Sequence, residues 1–186
     1  MLFRSRAEAF GVNPQAIFGF SEDIGGRFSL WSSVGLAIAL HLGYDSFRAL
    51  LAGAERMDQH FVNAPPAQNI PIMMALIAFW YGTIIGAESG AIIPYSQRLE
   101  LLPSFLQQLE MESLGKSASR EGDSLEYQTG GVLWGQPGTN AQHAFFQLLH
   151  QGRVLIPVDF IGFIAVEPEL QTQQDLLNQN MLAQIS

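Results

Sequence analysis

The chain of 186 residues has no cysteine and a single lysine, Lys116. Without thiols it can form neither a disulfide framework nor a thiolate metal site, and it is compatible with a reducing compartment. Charge is scarce too, with Asp, Glu, Lys and Arg making up 14% of the residues. Nine basic residues against seventeen acidic ones leave a formal charge of −8, and the eight arginines are scattered from Arg4 to Arg153. That pattern supplies no basic face, so no nucleic-acid partner is expected. Long hydrophobic runs are missing. The longest apolar segment, residues 70–85, is interrupted by Pro71, Tyr81, Gly82 and Thr83 and falls short of the roughly 20 residues a membrane span needs. It reads as a buried helix, and no membrane partner is expected. The opening residues 1–8 break off after two apolar positions and lack the apolar stretch of a secretory signal, so a cytoplasmic location is expected.

What the chain does have is apolar residues, at 48%, enough for a globular domain with a core. Leu30, Val34, Ile38 and Leu42 predict a largely buried helix ending at Gly43. A second helix follows from Tyr44-Asp45 and stops at Asn63-Ala64-Pro65-Pro66, and a third runs through Ile70, Met73, Met74, Ile77 and Tyr81. Residues 91–95 and 132–134 read as short strands between turn residues, with a helix around Leu99 to Leu106 that Pro103 kinks or restarts. The polar stretch 114–128 predicts an exposed loop or ragged hairpin. Thr139-Asn140-Ala141-Gln142 matches a capping box and opens a helix that ends at Gly152. Residues 154–166 form a β-rich apolar run, and the Gln- and Asn-rich tail has helical spacing at Leu176, Leu177, Met181 and Leu182. Alternating strands and helices point to an α/β layered fold. The chain ends inside this last helical pattern, so it reads as a piece of something longer.

The most informative stretch is Gly25-Gly26-Arg27-Phe28-Ser29-Leu30-Trp31. Two adjacent glycines predict backbone conformations that a side chain forbids, and they leave room for a ligand to approach closely. Ser29, Ser32 or Ser33 can cap the helix that follows, and a guanidinium placed there suits an anionic substrate or transition state. Glu112 on residue physics alone reads first as a solvated carboxylate at a helix end, and His143 as a histidine bonded to a backbone carbonyl. Among His41, His60, His143 and His150 no pair has metal-ligand spacing within one turn, so no metal is expected.

Taken in order, Gly25 to Trp31, Met57-Asp58-Gln59-His60-Phe61, Pro94-Tyr95, Met111-Glu112-Ser113 with Gly115-Lys116, Gln128-Thr129-Gly130, Trp134 to Phe145 and Gln147 to Gly152 resemble the phosphoglucose isomerase family. The resemblance covers nearly the whole chain. It implies an incomplete three-layer αβα sandwich of the sugar isomerase (SIS) type, with residues 1–62 closing a first subdomain and its following helices, and residues 63–186 forming part of a second. It implies interconversion of glucose 6-phosphate and fructose 6-phosphate in glycolysis and gluconeogenesis, without a cofactor, through a cis-enediol. Glu112 would be the base that moves a proton between C2 and C1, a task that suits a carboxylate able to accept and return it. His143 would open the sugar ring, and Gly26, Arg27 and Gln108 would bind substrate, with Arg27 facing the developing enediolate. Gln108 and Glu112, four residues apart, share a face if the helix continues that far. His143, placed in the first turn of its helix, would feel the positive end of the helix dipole.

The family pattern also implies a homodimer in which the histidine comes from the neighbouring subunit. The chain would correspond to about the middle third of a full isomerase, lacking the phosphate-binding loop upstream and a glutamine and a lysine downstream, and would be inactive alone. Gln136 stands where many members carry Glu, Ala141 where many carry Gly, and Gln173-Gln174 where a His pair is common. Two other readings stand beside this one: a non-catalytic sugar-phosphate-binding module that keeps the sandwich, and a chain only marginally folded because its sheet lacks strands.

Overall fold

The computed structural model describes residues 2–185 as two compact units, one up to Ile72 and one from Met73 onward. The first is helical. It holds α1 (Leu2–Ala9), α2 (Leu36–Leu42), α3 (Tyr44–Asn63) and the start of α4 (Ile70–Phe79). The helix predicted from Leu30 is realised only from Leu36, because two 3-10 segments, Gly26–Trp31 and Ser33–Gly35, precede it. Serine hydroxyls explain the difference. Ser29 Oγ donates to the Gly26 carbonyl and Ser32 Oγ to the Ser29 carbonyl, each at 2.6 Å, offering the backbone a local alternative to the α-helical ladder. Val34, Leu36 and Leu40 are exposed, so this segment is not the largely buried helix its composition predicts.

Gly43, at φ 86°, ends α2 and admits α3 at once, and α3 stops before Pro65-Pro66 as expected. The turn into α4 is tied by Asn69, which is fully buried. Its Nδ2 donates to the Phe61 carbonyl at 2.7 Å and its Oδ1 accepts from the Ile72 amide at 3.2 Å, while His60 Nε2 accepts from the Ile70 amide at 3.0 Å. Beyond Asn69 the reading of a buried helix fails. Met74, Leu76, Ile77 and Phe79 are exposed, and α4 widens into a π-helical segment, Trp80–Ile85, closed by Gly86 at φ 82°.

The second unit is built on a three-stranded parallel sheet of order β2-β1-β3, with β1 Ser89–Pro94, β2 Val132–Trp134 and β3 Val158–Ile161. Ser89 pairs with Val132 on one side, and Ala91 with Val158 on the other. Of the apolar run 154–166 only four residues enter the sheet. β1 is six residues long, and its partner can be no longer than the register allows. Ala91, Ile93 and Tyr95 share one face of β1 and form the core with Ala141 and Phe146. Ile92 and Pro94 alternate to the other face and are buried too. A parallel strand covered on both faces is the signature of an α/β layered fold, here an incomplete one.

Helices α5 (Leu102–Gln107), α6 (Gly138–Ala144), α7 (Phe146–Gln151) and α8 (Pro168–Ile185) complete the unit. Pro103 starts α5 afresh. The polar stretch 114–128 is a loop with one antiparallel bridge, Ala118 to Ser124. The helix expected through Leu149 breaks at Phe145, which sits at φ −147°. Consecutive residues of a regular helix point about 100° apart, so both phenylalanines would share one core face only poorly. The break lets Phe145 meet Trp134 edge-on at 4.6 Å while Phe146 enters the core.

Candidate active site

Arg27 is the second residue of the 3-10 segment Gly26–Trp31, and it is half-buried. The glycines before it are not there for a forbidden conformation. Gly25 sits at φ −65°, and neither glycine has a positive φ, so the conformational half of the sequence reading is corrected. Around Gly26 there is open space, a Cβ there meeting nothing within 4 Å. Ser32 caps only the 3-10 segment Ser33–Gly35, accepting from the Val34 amide at 3.3 Å, and α2 itself starts after Gly35 with no side-chain cap.

Gln108 and Glu112 open and close a π-helical segment, Gln108–Glu112, that continues α5. The wider i→i+5 turn still leaves residues four apart on nearly the same side, and such segments recur at functional sites. Both side chains are exposed. The segment lies along β2: Gln107 Nε2 donates to the Leu133 carbonyl at 2.9 Å, and the Leu133 amide donates to Met111 Sδ at 3.4 Å. Past Glu112 the chain folds back on itself. Lys116 Nζ donates to the Glu112 carbonyl, the Lys116 carbonyl accepts from Thr129 Oγ1 at 2.7 Å, and the Gly115 amide donates to the Met111 carbonyl at 2.9 Å. Gly115 has a steric reason, since a Cβ there would stand 2.3 Å from Met111 O. Ser113 Oγ is buried and, among the described residues, makes no hydrogen bond.

Glu110, between these two, carries a signal the sequence did not disclose. Partial burial raises its carboxyl above the ordinary 4.5, and the carboxylate of Asp159 adds to the effect. The folded chain therefore holds this proton more tightly than the unfolded chain does. Glu110 contributes stability below about 4.5 that is lost as pH rises through the raised value. Glu110→Gln is accordingly expected to gain stability relative to the parent on going from acid to neutral pH. Unfolding midpoints of the two proteins that stay parallel across that range would refute it.

His143 follows from the other end of β2, through Gly135 to Pro137 and into α6. The capping box is not used. Pro137 is the N-cap and α6 begins at Gly138, with no side-chain cap bond. The Gln142 side chain is drawn away, its Nε2 donating to Tyr95 Oη at 3.0 Å. His143 consequently lies in the last turn of α6, and the dipole of the helix N-terminus does not act on it.

Arg27 belongs to the first unit, and Gln108, Glu112 and His143 to the second. Within the second unit the last two are held by different elements. Glu112 lies where Leu114 and Lys116 meet Thr129 and Gly130, ahead of the start of β2, whereas α6 begins at Tyr95, past the end of β1. The residue before Glu112 reaches the middle of β2, Met111 Sδ accepting from the Leu133 amide, while His143 is carried by α6 beyond that strand. The motifs include Tyr95 without giving it a role, although a phenol closing an apolar strand run is a signal that a buried hydroxyl needs a partner. Among the described residues no helix is long and apolar enough to cross a membrane.

Residues 3–186 match the family model described as phosphoglucose isomerase. Glucose-6-phosphate isomerase 1 of Chromohalobacter salexigens is 52% identical over 181 residues, covering 97% of this chain and 33% of the relative. Glucose-6-phosphate isomerase of Christiangramia forsetii is 52% identical over 179 residues, covering 96% and 33%. Among solved structures, a glucose-6-phosphate isomerase from Chlamydia trachomatis aligns with a TM-score of 0.84 at 34% identity, over 98% of this chain and 41% of that one. A hypothetical protein from Thermus thermophilus aligns with a TM-score of 0.73 at 28% identity, over 98% of this chain and 45% of that one. The chain spans about a third of the length of the curated relatives it matches. Motif order, sheet and sequence converge, and the chain belongs to the phosphoglucose isomerase family.

Proposed function

We propose that this chain supplies part of the active site of a glucose-6-phosphate isomerase, a cytoplasmic enzyme that interconverts glucose 6-phosphate and fructose 6-phosphate. The observation that carries the reading is the family match over residues 3–186. The residues of the reading lie inside it. Glu112 takes the proton from C2 of the open-chain sugar, giving the enediol, and returns it at C1. Arg27 stabilises the negative charge that develops on the enediol oxygens, Gly26 and Gln108 contact substrate, and His143 exchanges a proton with the ring oxygen as the ring opens. No cofactor enters these steps. The first unit closes one SIS subdomain, and the second contributes to another.

The family resemblance is what supports a homodimer in which each site takes its base from one subunit and its histidine from the other, and the two residues lie on different elements, the π-helical segment after α5 and α6. The test joins this chain to the flanking segments of the Chromohalobacter salexigens relative and measures conversion of glucose 6-phosphate. Subunits carrying Glu112→Gln and subunits carrying His143→Asn are then refolded together. A mixed dimer holds one site with both defects and one with neither, so random pairing should restore about a quarter of parental activity. A folded but inert completed enzyme overturns the isomerase reading. An active one whose mixture recovers nothing overturns the shared site.

A further inference from the structure

Tyr95 follows the last residue of β1 and is 1% exposed. Its main chain is tied on two sides: its amide donates to the Ile161 carbonyl at 2.7 Å, and its carbonyl accepts from Gln174 Nε2 at 3.2 Å. Gln174, one of the pair standing where the family often has histidines, is itself buried on α8 and also donates to Asn178 Oδ1 at 3.0 Å. The Tyr95 backbone is thus anchored to β3 and to α8.

From that anchor the side chain grips α6. A Cβ on Gly138 would lie 2.2 Å from Tyr95 Cε2, so the first residue of α6 must be glycine for the helix to seat on the ring. The fifth, Gln142, donates to the hydroxyl at 3.0 Å. Residues four apart share a helix face, so Tyr95 holds one face of α6 at two points a turn apart. The helix has seven residues and is too short to keep its setting unaided. His143 comes directly after Gln142 and is exposed, so its direction follows from the rotation of the helix backbone. Packing alone would accept phenylalanine at position 95. The hydroxyl, buried at a cost unless bonded, is accounted for by Gln142.

We propose that Tyr95 is a positioning residue, setting the rotation of α6 through Gly138 and Gln142 and thereby the approach of His143 to the sugar ring oxygen. The proposal rests on the ring-opening role given to His143 above. Tyr95→Phe keeps the ring under Gly138 and removes only the hydroxyl. Gln142→Ala removes the same bond from the helix side without touching the sheet, so it serves if the first variant fails to fold. In the completed enzyme each is expected to lower kcat about tenfold, with KM changed by less than about twofold. The double variant should fall no further than either single one, because both delete one contact. His143→Asn is the reference. If it lowers kcat while Tyr95→Phe and Gln142→Ala stay within about twofold of the parent, or if their losses multiply, positioning by Tyr95 is overturned and the reading of His143 stands. If His143→Asn itself leaves kcat unchanged, the role of His143 falls and the proposal falls with it.

Discussion

Glu112→Gln in the completed isomerase is expected to lower turnover by about 10²–10⁴-fold, the range that general acid–base groups contribute, while sugar-phosphate binding is largely kept. The amide matches the carboxylate in size but cannot accept a proton from carbon. The substitution is isosteric at an exposed side chain, and exposed substitutions of this kind shift stability by only about 0.5 kcal/mol. Unfolding midpoints of the parent and the variant should therefore agree, and calorimetric binding of fructose 6-phosphate should change by less than about tenfold. Turnover within about tenfold of the parent would remove Glu112 from the proton-transfer role. Lost binding with an intact fold would instead assign it to substrate recognition.

Gly135→Ala is expected to be the most damaging single methyl in the second unit. Gly135 leaves β2 at φ 156°, where an L side chain is strained, and a Cβ there would stand 1.9 Å from Ile92 O and 3.1 Å from Ile92 N. Both atoms are backbone of the central strand, so relief requires β1 and β2 to part or the turn to refold. Overpacking and backbone strain each cost about 1–3 kcal/mol, and together they set a loss of about 3 kcal/mol or more. Gly90→Ala in β1 is the control, since its nearest new neighbour is Pro157 O at 3.8 Å. Urea midpoints should separate the two variants clearly. Equal midpoints would mean that the turn after β2 is free to move.

The parts of this fold that were legible in the sequence are those written in local patterns. β1 appears as a β-branched run between turn residues, α3 as a twenty-residue amphipathic stretch between Gly43 and a proline pair, and α8 as helical spacing in a polar tail. The parts that were not legible depend on partners far away in sequence. Gln142 leaves its expected cap for a hydroxyl forty-seven positions earlier, and Phe145 breaks a helix to reach Trp134. The π-helical segments have a period that a 3.6-residue reading cannot register. Of the candidate site, Arg27, Gln108, Glu112 and His143 are proposed from motifs alone. Their distribution between two units, and the placing of Glu112 on a π-helical segment and His143 at the end of a short helix, were not legible, because spacing along a chain carries no information about which element a residue will end.

The contact between Lys116 and the Glu112 carbonyl has a practical side. Because Lys116 is the sole lysine, an amine-directed reagent meets one side-chain target, and that target lies four residues from the carboxylate given the proton-transfer role. In this chain by itself a dye coupled there would report on the loop behind that carboxylate with no engineered attachment point, and the absence of cysteine from the chain leaves cysteine chemistry open for a second, independently placed label.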